Sequence, residues 1–156
     1  MAFADPLYRM LAALLDCTVD EVRAMPKSEP MPQLEGKTIR HTLQTLGTQW
    51  GRQMMGEEIW ANTCVREALW LIQSGVSVVI DDCRFHNEYK LLRDAGAKFV
   101  RLSREDMPEQ VNPGHESEAD WPHFPVDAAV LNPSDGVKNW SALAGKAILV
   151  ALEARG

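Results

Sequence analysis

The second half of this sequence predicts an α/β fold, a parallel sheet with flanking helices. Three strand-like runs carry that expectation: Val76–Ile80 (VSVVI), Ala97–Leu102 (AKFVRL) and Asp127–Leu131 (DAAVL). A helical stretch at His86–Ala95 separates the first two, and another at Lys138–Glu153 follows the third. Strands alternating with helices pair in parallel through right-handed crossovers. VSVVI is β-branched and nearly all apolar, as expected of a strand covered on both faces. The length of 156 residues, with 46% hydrophobic and 24% charged residues, suits one globular domain with its own core.

The first half reads as helices. Asp5-Pro6 opens the first, with Asp5 as cap and Pro6 at the first helical position, and Leu7, Met10, Leu11 and Leu14 supply its apolar stripe. This segment is amphipathic and carries Asp5 and Arg9, so it does not read as a signal peptide. Thr18-Val19-Asp20-Glu21 has the form of a capping box and starts a short second helix. Residues 26–36 are proline-rich and read as a loop. Thr38 caps a longer helix with Ile39, Leu43, Leu46 and Trp50 at helical spacing, its far end blurred by Gly47 and Gly51. Glu57–Gln73 forms the next helix, with Ala61, Val65, Ala68, Leu69 and Ile72 on one face and Gly75 as its stop. Gly96 closes the helix at His86–Ala95, and residues 105–125 form a long polar, lid-like loop with four prolines.

Net charge is −6, with acids and bases interspersed. A duplex nucleic-acid binder calls for a clustered basic surface, which this pattern argues against. No apolar run approaches a membrane span. Three scattered cysteines, Cys17, Cys64 and Cys83, have no metal-ligand spacing and fit a reducing cytoplasm. A small anionic ligand stays compatible with this charge, because a few converging arginines bind a phosphate whatever the overall balance.

In parallel sheets ligands lie beyond the carboxyl ends of the strands. Asp81, Asp82 and Arg84 follow VSVVI, and Arg104 follows AKFVRL, so two strands deliver charge to one rim. A strand-end Asp82 can hold Mg²⁺ through water while Arg84 grips a phosphate, or the pair can form a solvated turn. Arg104 is a second phosphate ligand or a surface arginine. Arg40 and Gln44 lie one helical turn apart, facing a cleft or solvent. Arg52 and Trp60 flank a helix junction, where the indole can stack on a base or fill the core. His115 falls in the long loop, as general base, lid contact or plain loop residue. Gly36-Lys37-Thr38 mimics the end of a phosphate-binding loop, but Met31 stands where that pattern requires glycine, and no strand precedes it. It reads as a helix start.

Several stretches, in order, resemble the phage deoxynucleoside monophosphate kinases, in the adenylate-kinase-like group. They are FADPL at Phe3–Leu7, Arg40 with LQTLGT at Leu43–Thr48, Arg52, and GEEIW ending at Trp60. Then come Val78–Arg104, His115 with Ser117 and Glu118, and DAAVLN at Asp127–Asn132. The resemblance implies transfer of the ATP γ-phosphoryl group to a deoxynucleoside 5′-monophosphate (dNMP) with Mg²⁺, in a host cytoplasm. It assigns Arg40, Arg52, Trp60 and His115 to substrate binding. Asp82, Arg84 and Arg104 become the catalytic rim, with Asp82 nearest the metal.

Family members begin with a strand, a glycine-rich loop and a helix, and this chain starts after that unit. The expected architecture is therefore a three-layer P-loop-kinase-like fold missing its first strand. VSVVI and AKFVRL must then pair with each other or recruit a second copy as a homodimer, or leave backbone groups unsatisfied. A catalytically inactive nucleotide-binding module and a protein-interaction module are the alternatives to an active kinase. Tyr8, with Arg9 beside it, stands where the family tends to place lysine.

Overall fold

A computed structural model describes residues 1–104, 123–132 and 140–153. The chain divides into two compact units, Met1–Cys83 and Arg84–Gly156.

The first unit is mainly helical. Helix α1 spans Asp5–Leu15 and α2 spans Val19–Ala24. The two-residue strands β1 (Pro30–Met31) and β2 (Lys37–Thr38) pair antiparallel around a short 3₁₀ turn, Pro32–Leu34. The proline-rich loop is thus a small hairpin, with Gly36 in its turn and Lys37-Thr38 as its return strand. Helix α3 (Ile39–Gln44) runs directly into a π-helical segment, Thr45–Met55, and α4 covers Ile59–Gln73.

The helix starts follow from their side chains. Thr18 Oγ1 accepts the Glu21 amide at 3.2 Å while the Glu21 carboxylate accepts the Thr18 amide at 2.7 Å, a complete capping box. Thr38 Oγ1 accepts the His41 amide at 3.0 Å and caps α3. Asp5 does not cap α1. The helix begins one residue earlier, with Ala4 as cap. The Asp5 carboxylate turns back to the Ala2 amide at 2.7 Å and pairs with Arg23.

The core of this unit gathers Leu11, Ala12, Val22, Leu34 and Ile39, with Tyr8, Leu15, Met25 and Leu43 packed around them. The α1 stripe is therefore rotated from the sequence reading, since Leu14 is 65% exposed. On α4 the buried residues are Trp60, Ala61, Cys64 and Ala68, whereas Leu69 and Ile72 are exposed. Each of these stripes has helical spacing, and the choice between them is made by the neighbouring helices. Gly75 ends α4 in the left-handed region at φ 82°, as expected of a helix stop.

Val76–Ile80 differs from expectation. It enters no β-ladder among the described residues; the Val76 amide donates to the Leu71 carbonyl of α4 at 3.0 Å, and the Met1 ammonium donates to the Val79 carbonyl at 2.8 Å.

The second unit holds α5 (His86–Asp94), β3 (Val100–Arg104), β4 (Ala128–Asn132) and α6 (Trp140–Glu153). Strands β3 and β4 are parallel, with Val100 opposite Ala128 and Arg104 opposite Asn132. The predicted parallel pairing is present, but AKFVRL is partnered by DAAVL rather than by VSVVI. Helix α6 packs on β4 and β3 and buries Ala147 and Ala151.

Asp127 fastens the start of this sheet. Its carboxylate accepts the Phe99 amide at 2.8 Å, its own amide donates to the Phe99 carbonyl at 2.8 Å, and Arg93 and Lys98 both pair with it. Burial raises the Asp127 carboxyl, but the Phe99 amide, Arg93 and Lys98 outweigh it and hold it below the usual carboxylate range. Beside it, Tyr89 stacks on Phe124 with centroids 4.6 Å apart and donates its hydroxyl to the Pro125 carbonyl at 2.9 Å. Residues of the predicted polar loop from 123 onward are thus anchored on α5, while 105–122 lie outside the described residues.

Because the Asp127 pKa is lowered on folding, its contribution is present above the unfolded value, about 4, and is lost as pH falls through the folded value. Asp127→Ala leaves the Phe99 amide without its acceptor. A loss of about 1–3 kcal/mol is expected at neutral pH in chemical denaturation, shrinking below about pH 4. An effect of the same size at pH 3 and 7 would show that the ionised carboxylate is not the source.

Candidate functional site

The residues singled out from the sequence fall in both units. In the first unit, Arg40 and Gln44 lie on α3 and are exposed, with the Arg40 amide bonded to the Lys27 carbonyl at 2.9 Å. Arg52 lies in the π-helical segment and is half-buried. Trp60, one residue into α4, is only 6% exposed. Its Nε1 donates to the Gly47 carbonyl at 2.8 Å, and its ring lies 6.0 Å from that of Trp50. A shallow depression of about 390 Å³ opens at the same helix junction, lined by Met55, Gly56, Glu58, Asn62, Thr63 and Arg66 among others.

Asp82 is held by the N-terminus. One carboxylate oxygen accepts the Phe3 amide at 2.8 Å and the other accepts the Ala4 amide at 3.2 Å. Phe3 itself is buried. The FADPL and DDCR stretches, 79 positions apart at Phe3 and Asp82, therefore form one structure: a carboxylate seated under the turn that leads into α1. The negative charge also faces the positive end of the α1 dipole. Burial pushes the Asp82 carboxyl up, with Asp81 and Asp5 adding to it, against the pull of the two amides.

This arrangement bears on the metal. Asp82 already serves two amides, and no group of three His, Cys, Asp or Glu side chains able to hold a metal ion occurs among the described residues. Magnesium often takes only one or two carboxylates together with substrate phosphates, and Asp81 and Asp5 lie near enough to Asp82 to raise its carboxyl.

Tyr8 stands where the family tends to place lysine, with Arg9 beside it. Arg9 makes a two-pronged pair with Glu67 at 3.0 and 2.9 Å, tying α1 to α4. The pair raises Arg9 and lowers Glu67, in each case chiefly through the side-chain hydrogen bond. The Tyr8 ring carries Arg23 and Lys27 above it, at 5.1 and 5.7 Å from its centre. The positive charge around this turn is therefore structural, spread over three side chains.

In the second unit, Arg84 lies two residues before α5 and is exposed. Its amide and that of Phe85 both donate to the Glu88 carboxylate, at 3.0 and 3.1 Å. Arg104 ends β3 at the carboxyl rim of the parallel pair, opposite Asn132. His115 lies outside the described residues. Sequence reasoning missed Glu88, which is 3% exposed and sets the start of the helix behind Arg84. The available signal was its place three residues after the helix cap, but Phe85 in the cap position hid the capping pattern.

A raised pKa has its stabilising part fully present below the unfolded value and loses it as pH rises through the folded one. Replacing Asp82 by Asn removes that titration while keeping one acceptor. Melting temperatures from about pH 3.5 to 7 are therefore expected to shift progressively in favour of Asp82→Asn as pH rises. A constant difference would mean that Asp82 keeps an ordinary pKa.

Against known proteins, residues 21–138 match the Deoxynucleotide monophosphate kinase family. The chain is 29% identical to the Deoxynucleoside-5′-monophosphate kinase of Escherichia phage T5, over 64% of this chain and 41% of that one. It thus spans less than half the length of this curated relative. No solved structure matches. The matched region runs from α2 past β4 and includes Arg40, Arg52, Trp60, Asp82, Arg84 and Arg104. The chain belongs to the deoxynucleotide monophosphate kinase family.

Proposed function

We propose that this chain binds a deoxynucleoside 5′-monophosphate and takes part in transfer of the ATP γ-phosphoryl group to it, giving the diphosphate and ADP. The family match over residues 21–138 is the observation that carries this reading. In the reaction, an oxygen of the monophosphate forms a bond to the γ-phosphorus as the bond to the β-phosphate oxygen breaks. Such transfer depends on positioning and on neutralising charge rather than on covalent chemistry by the protein. Arg40 and Arg52 hold the monophosphate, and Trp60 belongs to the same site. Arg84 and Arg104, both in the second unit, neutralise phosphates, and His115 borders the closing loop; in the first unit, Asp82 is the carboxylate that the resemblance assigns to the metal. ATP and a divalent metal are general requirements of the family's chemistry. No helix among the described residues is long and apolar enough to cross a membrane, and a host cytoplasm is the proposed setting.

Calorimetric titration of the chain with the four monophosphates, run beside an ATP-coupled turnover assay, tests the reading. Saturable binding of at least one monophosphate is expected. Arg40→Ala and Arg52→Ala each remove a charged hydrogen bond, so each should weaken binding about 10- to 100-fold. Heats no larger than dilution for all four ligands would refute the assignment, while binding without turnover would confine the chain to nucleotide binding.

Self-association belongs to the same reading. Val76 and Val79 are 47% and 68% exposed in a segment with no ladder partner among the described residues. A strand of this composition is a template for pairing with a second copy. Light scattering should report a dimer, and Val79→Lys should return it to a monomer. A monomeric unmodified chain at about 100 µM, far above the micromolar range of specific pairs, would remove this part.

A further inference from the structure

The π-helical segment Thr45–Met55 is the least ordinary element of the chain. Such winding is rare and mostly limited to single turns inside α-helices, frequently at functional sites. Eleven consecutive residues therefore call for support from outside the helix. Gly56 donates to the Gly51 carbonyl at 2.9 Å, an i→i+5 bond that closes the segment.

The support comes from Trp60. Its Nε1–H holds the Gly47 carbonyl at 2.8 Å. Its ring fills the space beside Gly51 so closely that a Cβ there would collide with the ring atoms Cζ2, Nε1 and Cε2. On the same segment, a Cβ at Gly47 would lie 3.3 Å from Leu7 of α1. The two glycines thus let the segment lie against α1 and α4 at once. With 6% of its surface exposed, the indole has no open face for a nucleobase.

We propose that Trp60 is a positioning residue: by holding Gly47 and lying against Gly51 it fixes the wide winding of Thr45–Met55, and with it the direction in which Arg52 projects. Arg52 directly follows Gly51. In a 3.6-residue helix, each residue of slippage turns a side chain by about 100°. Relaxation of the segment to ordinary α-winding would therefore swing Arg52 away from its ligand. This inference rests on the proposed role of Arg52 in holding the monophosphate, and assigns Trp60 an action through that arginine instead of contact with the base.

A double-mutant cycle tests it, with titrations of dAMP, dCMP, dGMP and dTMP on the full chain. Trp60→Phe keeps an aromatic ring and removes the bond to Gly47. It should weaken monophosphate binding about three- to tenfold, the loss of one buried hydrogen bond, with the helical circular dichroism retained. In the Arg52→Ala background the same change should have no further effect. Unchanged affinity in Trp60→Phe, or losses that simply add in the double variant, overturns the inference and leaves the proposed function standing. Absence of binding to the unmodified chain overturns both.

Should Trp60→Phe fail to fold, the unmodified protein gives the answer by nuclear magnetic resonance. The Trp60 indole N–H is expected to stay protected from solvent exchange with and without monophosphate. Magnetisation transfer from the base to the Trp60 ring, or loss of that protection on binding, overturns the proposal.

Discussion

A backbone amide at the start of a helix has no partner inside that helix, and this chain meets the need repeatedly with side-chain oxygens. Thr18 and Thr38 serve α2 and α3. Asp82 serves the turn before α1, and Glu88 serves the amides before α5. Asp127 does the same for a strand by holding the Phe99 amide. The two threonines act within three residues, whereas Asp82 reaches across 79 positions and Asp127 across 28. These carboxylates are the points at which distant parts of each unit are tied together. Their removal would leave buried donors open, which is costlier than losing an ordinary contact.

That constraint reframes the aspartate at the end of VSVVI. In a parallel sheet, a strand-end carboxylate suggests metal or substrate chemistry. Here it lies beneath the FADPL turn, where burial raises its carboxyl. The two stretches that carry much of the family resemblance are in direct contact. Their chemistry is complementary: a carboxylate on one side, two free amides and a helix dipole on the other.

The π-helical segment follows a related logic. Gly47 offers a carbonyl to a side chain on another helix, and Gly51 admits an indole where any Cβ would collide. A polar bond and a close packing contact act on one short stretch, next to an arginine that family membership places within the matched region.

Local patterns determined much of this protein. Helix existence and approximate limits, the Thr18 capping box, the Thr38 cap, the stops at Gly75 and Gly96, the parallel sense of the strands after residue 97 and the family itself were legible, because each depends on neighbours within a turn or on ordered motifs. Which apolar stripe of α1 and α4 is buried was not, since Leu14, Leu69 and Ile72 have the right spacing but face away from the helices that pack there. Nor could spacing foresee that AKFVRL pairs with DAAVL while VSVVI enters no ladder among the described residues, for strand pairing is decided by distant partners. The winding of Thr45–Met55, the seat of Asp82 and the burial of Trp60 are likewise tertiary outcomes. Each requires an amide, a carbonyl or a ring brought from another element, and a side chain's reach across the fold is not written in its sequence neighbourhood.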